Sequence, residues 1–111
     1  MSKTIVLAKA VKNAAKYLSL NKTQLKKVLN LPDEDEDFVE LDPSSLSGQN
    51  AILLIKLYQS LYVLNGGDPV WMKRCMINKN HSTGGIPIDQ IQEHEGLVKV
   101  LRVFQYLSSK N

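Results

Sequence analysis

Few residues in this 111-residue chain are of types suited to chemistry, and their spacing argues against it. Neither His81 nor His94 has a partner at metal-ligand spacing, and Cys75 is too isolated to complete a site. Asp89, Glu93 and Glu95 fall close together, but acids on a short exposed helix usually only solvate it. Glu93 and Glu95, two apart, do not share a helical face. Gly66-Gly67 and Gly84-Gly85 lack the flanking pattern of a phosphate-cradling loop, and no serine or cysteine sits in a nucleophile signature. No enzyme, metal or cofactor is expected. What the sequence favours is a compact, rigid helical module.

The elements around them read as helices. The stretch from Asn80 to Leu101 is loop, short helix, closing helix: Gly84-Gly85 marks a bend, Pro87 suits a first helical turn, and Ile88 and Ile91 share a face. Past Gly96 a second apolar stripe runs through Leu97, Val100, Leu101, Phe104 and Leu107 at helical spacing. Nearer the start, Ile5 to Leu18 is amphipathic, burying Leu7, Val11, Ala14 and Leu18. Asn21 with Gln24 forms a capping box for a helix over Lys22 to Leu29, which buries Leu25, Val28 and Leu29. Leu41 to Gly48 is a connector whose serines can cap the next helix. Gln49 to Asn65 is the longest helix, apolar around most of its circumference and so buried on several sides. Gly66-Gly67 ends it, and Asp68-Pro69 starts the next, with Trp71 expected as a core or interface aromatic. The fold class is all-α: a compact helical domain with a long central helix and a partial helix-turn-helix at its N-terminus.

Charge is polarised along the chain. Residues 1–30 hold seven lysines and no acid, residues 31–50 hold seven acids and no base, and the remainder is mildly basic. A DNA-reading motif needs a recognition helix after the second helix. This chain supplies Pro32-Asp33-Glu34-Asp35-Glu36-Asp37, and consecutive carboxylates repel phosphates. The run reads as a solvated turn or as a helix start behind Pro32, with mimicry of nucleic acid a minor alternative. The basic helices still offer Lys9, Lys12, Lys16, Lys22, Lys26 and Lys27 as phosphate contacts without base specificity. A DNA-binding regulator or autorepressor is therefore the alternative function, and weak, salt-sensitive DNA binding the most expected of it. The apolar surplus of the long helix predicts a homodimer, with Leu57, Leu61 and Leu64 on the contact face. The longest apolar stretch is too short and too interrupted to span a membrane, the N-terminus lacks a secretory pattern, and one free cysteine fits a reducing compartment. The expected location is cytoplasmic.

Asn80-x-x-x-Gly84-Gly85-x-Pro87, followed after a short helix by Glu95-Gly96-Leu97-x-x-Val100-Leu101, resembles the toxin-binding domain of the Xre/MbcA/ParS antitoxin family. Residues 5–31 resemble the start of that family's helix-turn-helix. Leu41-Asp42-Pro43, the helix with Leu57-Tyr58 and Leu61, and Gly66-Gly67-Asp68 resemble its middle section. The family usually has tryptophan at Cys75 and leucine at Thr83; Trp71, one turn before Cys75, is expected to fill part of the missing volume. The resemblance divides the chain into an Xre-like region with an acidic linker (1–46) and a toxin-binding region (47–111), packed as one unit. It implies an all-α, commonly dimeric antitoxin of a type II toxin–antitoxin system. Such an antitoxin occludes a cognate toxin, typically of the NAD-degrading RES type, with its C-terminal region. Gly84, Gly85 and Ile88 are then candidate toxin contacts, with Phe104 and Tyr106 as apolar anchors. Ser108, Ser109, Lys110 and Asn111 form a polar tail expected to fray beyond Leu107 and to order on the partner.

Overall fold

The computed structural model describes residues 2–32 and 37–110. Six helices follow in order: α1 (Lys3–Tyr17), α2 (Lys22–Leu29), α3 (Leu46–Leu64), α4 (Pro69–Ile77), α5 (Pro87–Gln90) and α6 (His94–Ser109). Among the described residues there is no strand, only an isolated antiparallel bridge between Asn80 and Gly85. α3 is the axis: it packs against α1, α2, α4 and α6. One continuous core gathers Leu7 and Val11 of α1, Val28 and Leu29 of α2, Leu54 of α3 and Phe104 of α6, so both halves of the chain share it.

The caps explain where the helices start. Asn21 Oδ1 accepts from Gln24 N (2.8 Å) and Gln24 Oε1 from Asn21 N (2.9 Å), the reciprocal box its spacing predicts. Ser45 is the serine that caps α3, accepting from Gly48 N at 3.0 Å. Asp68 Oδ1 accepts from Val70 N at 2.9 Å, with Pro69 in the first turn of α4. Gly66 and Gly67, with φ of +61° and +77°, fold the chain back so that Gly67 N donates to Tyr62 O at 2.8 Å.

α3 and α6 each begin earlier than the glycines within them suggest, and for the same reason. Gly48 is the third residue of α3 and Gly96 the third of α6. A Cβ on Gly48 would strike the carbonyl of Asp42, 2.7 Å from its carbon; a Cβ on Gly96 would strike that of Gln90, 2.6 Å from its carbon. In both places the same carbonyl accepts from the residue before the helix: Ser45 N to Asp42 O at 3.0 Å, Glu93 N to Gln90 O at 3.3 Å. The chain thus builds one tight entry corner twice. Its glycines allow backbone contact rather than ending helices.

The monomer core claims several residues expected elsewhere. Leu57 and Leu61 are fully buried within this single chain and Leu64 is half-buried against the same core, so Leu57 and Leu61 are not a self-contact face. The outward side of α3 instead shows Tyr62 and Val63. Trp71 lies outside the core, 53% exposed with the Arg74 guanidinium 4.8 Å above its ring, so it does not fill the space around Cys75. That half-buried thiol lies beside the amide of Asn65 instead.

Candidate functional site

The loop between α4 and α5 is wired from within. Asn80 Oδ1 accepts from Ser82 N (2.8 Å) and Thr83 N (3.2 Å), an Asx turn. Asn80 N donates to Gly85 O at 2.8 Å and Gly84 N to Asn80 O at 2.9 Å. Gly84 has φ of +80°, open to glycine and strained for other residues. Thr83 is fully buried, and its hydroxyl satisfies itself on the carbonyls of Asn80 and Gly85, both at 3.3 Å, so threonine fits this position without loss. From α5, Gln90 Nε2 donates to Thr83 O at 2.6 Å. The loop is therefore tied to the α5–α6 corner, and its conformation is set by bonds within the chain.

This arrangement exposes Gly84, half-exposes Gly85 and turns Ile88 largely inward. Sequence reasoning missed Gln90, which holds the loop, and Lys99, whose ammonium would lie 3.2 Å from a Cβ on Gly84. No local pattern marks either; only the fold brings α6 beside the loop. His94 at the start of α6 meets the buried Asn50 of α3, Nδ1 to Oδ1 at 3.0 Å. An amide oxygen only accepts, so Nδ1 carries the proton, and the ring pins α6 to α3. Asp89, Glu93, Glu95 and His81 are exposed. Among the described residues no group of three or more His, Cys, Asp or Glu side chains could hold a metal ion.

At the C-terminal end two expectations need correction. Phe104 is 1% exposed and belongs to the core, because it lies on the stripe that faces α3; it cannot anchor a partner. The polar tail does not fray at Leu107. α6 continues to Ser109, with Ser108 Oγ donating to Gln105 O and Ser109 Oγ to Tyr106 O, each at 3.0 Å. Tyr106 is 62% exposed, with the Lys110 ammonium 5.4 Å above its ring. Asn111 lies outside the described residues.

The basic head is also less available than its lysine count. Lys26 is buried and therefore lost as a phosphate contact, because α2 packs that side against the core. Lys12 is engaged: it pairs with Asp37 Oδ2 at 2.9 Å, donates to Phe38 O and sits 4.6 Å over the Phe38 ring. That bond from Lys12 holds the Asp37 carboxyl below its usual pKa. Asp42 is likewise lowered, first by the backbone N–H of Ser44 and then by its hydroxyl. Farther along the same connector, Thr4 Oγ1 donates to Glu40 and Leu41 N donates to Thr4 O at 3.0 Å, so this acidic strap lies along α1. Lys9, Lys16, Lys22 and Lys27 remain exposed. Nothing helical lies between Leu29 and Leu46 among the described residues, and the carboxylates of Asp33, Glu34, Asp35 and Glu36 lie outside them. No described helix is long and apolar enough to cross a membrane.

No family model matches the chain, and no curated protein matches it.

Proposed function

We propose that the protein is a non-enzymatic antitoxin that binds and occludes a partner toxin of the NAD-degrading RES type in the cytoplasm. The observation that carries this reading is the preset Asn80–Gly85 loop. Four of the residues that carry the resemblance have a defined role in or around it: Asn80 folds the loop, Gly84 takes positive φ, Pro87 opens α5, and Gly96 lets α6 meet Gln90. A rigid, exposed loop binds with little ordering cost. In this reading Gly84, Gly85 and Lys99 present the loop edge to the toxin. Tyr106, Ser109 and Lys110, at the exposed end of α6, reach toward its cleft.

The test is co-expression of this chain with the product of the adjacent reading frame, followed by pull-down and a growth-rescue assay. Co-purification and rescue are expected, and rescue weakened by truncation after Leu107. A neighbour that neither harms cells nor co-purifies would overturn the reading. Self-association in this proposal uses the Tyr62–Val63 side of α3, and light scattering that gives a monomer at high micromolar concentration would remove it. DNA binding in this proposal is weak and falls steeply with salt, since Lys9, Lys16, Lys22 and Lys27 offer phosphate contacts only.

A further inference from the structure

α4 is buried along one side only, through Met72 and Met76. Its other side carries Val70, Lys73, Arg74 and Ile77 at i, i+3, i+4 and i+7, all exposed, with the exposed Trp71 beside them. Val70 and Ile77 thus face solvent with two cations between them, an amphipathic side rather than a purely polar one. Where α4 meets the end of α1, a concavity of about 530 Å³ continues this side, lined by Lys16, Tyr17, Pro69, Val70 and Lys73. Three cations (Lys16, Lys73 and Arg74) and five apolar or aromatic groups (Tyr17, Pro69, Val70, Trp71 and Ile77) thus share one face. Among the described residues, the lining of the concavity holds no acid. The nearest carboxylate in sequence, Asp68, is committed to capping Val70 N.

We infer that this α1–α4 face docks an acidic amphipathic segment of a partner protein, in which carboxylates flank aliphatic side chains. Charge complementarity selects the acidic partner: lysine and arginine ring an apolar floor. The aliphatic groups select a peptide over a nucleic acid strand, because Val70, Pro69 and Ile77 offer no aromatic face for a base to stack on, and the Tyr17 ring is already packed against Tyr58 at 5.2 Å. One face of Trp71 is already taken by Arg74. Tryptophan and arginine together are the side chains that most often dominate a docking surface. The face holds none of the residues assigned to toxin binding and does not depend on the antitoxin reading.

Trp71 is the only tryptophan in the chain, so its fluorescence reports this face alone. The probes are a short synthetic peptide alternating glutamate and leucine, and a single-stranded oligothymidylate, each titrated into the full chain. With the peptide, the emission of Trp71 is expected to shift to the blue as its ring leaves water. The Lys73→Glu, Arg74→Glu double variant is expected to weaken binding about tenfold or more. Lys56→Glu, an exposed change on α3, should leave the affinity unaltered, and far-ultraviolet circular dichroism should show both variants folded. Tighter binding of the oligothymidylate, with quenching and no blue shift, would overturn the proposal in favour of a nucleic-acid platform. No change with either probe, or equal weakening by Lys56→Glu, would also overturn it.

Discussion

Replacing Gly96 with alanine separates two physical accounts of the C-terminal corner by the sign of one measurement. In a helix interior, alanine in place of glycine stabilises by about 1 kcal/mol. At Gly96 the new Cβ would sit 2.6 Å from the carbonyl carbon of Gln90 and 3.2 Å from its Cα. Both are backbone atoms, so no side chain can swing away, and α6 must draw back from α5. Overpacking of this kind costs roughly 1–3 kcal/mol, and a rigid obstacle belongs at the upper end. Withdrawal also stretches the bond from Glu93 N to Gln90 O, which contributes about 1 kcal/mol. The net expectation is a loss of about 3 kcal/mol, or a fall in Tm of roughly 12 °C for a domain of this size. The assay is urea and thermal unfolding followed by circular dichroism, with the exposed Gln105→Ala as a control expected to stay within about 0.5 kcal/mol. Because Gln90 holds Thr83 O, amide exchange at Ser82 and Thr83 should quicken in the variant as well. A Tm that is unchanged or raised by Gly96→Ala would refute the close-contact account and leave Gly96 as an ordinary helical glycine.

The same geometry sets three other outcomes. Asn80→Ala removes the acceptor for two loop amides; stability should fall by about 1–2 kcal/mol, exchange at Ser82 and Thr83 should rise, and toxin neutralisation should weaken if the loop is the contact. Phe104→Ala should cost about 3–5 kcal/mol in unfolding titrations, whereas Tyr106→Ala should change stability by no more than about 0.5 kcal/mol and act on partner binding instead. Asp37 and Asp42 both have lowered pKa values in the fold, so the stability they contribute is fully present above the ordinary carboxylate pKa of about 4 and is lost as pH falls through their folded values. Acid titration of Asp37→Asn should therefore show a shallower loss of stability below about pH 4 than the parent chain.

Much of the helical plan was legible because it rests on local signals. The Asn21–Gln24 box and the Asp68–Pro69 start depend only on residues within one turn, and both occur where the spacing puts them. The starts of α3 and α6 were not legible. Gly48 and Gly96 look like breakers to a local reading, and only the approach of Asp42 and Gln90, set by the path of the preceding chain, shows them to be contact points inside helices. The outward side of α3 was also hidden. A helix apolar all round does not say which side its own chain covers; with α1, α2, α4 and α6 packed around α3, Leu57 and Leu61 fall on the covered side. Residue type leaves Trp71 a choice between core and interface, and cannot decide it for a short helix whose buried residues are two methionines.

The candidate surfaces show the same division between what residues can be and where the fold places them. Asn80, Gly84 and Pro87 announce a turn and a helix start by type, and the loop uses each in that way. The lysines of the head announce only charge. Burial removes Lys26 and the strap engages Lys12, while Lys16 and Lys73, two exposed lysines that line one concavity, come from helices far apart in sequence. A positive net charge therefore describes no single surface of this molecule. The N-terminal excess is partly neutralised along α1 by Asp37. On α4 and the end of α1, cations lie beside exposed apolar groups, and among the described residues no acid lines the concavity between them.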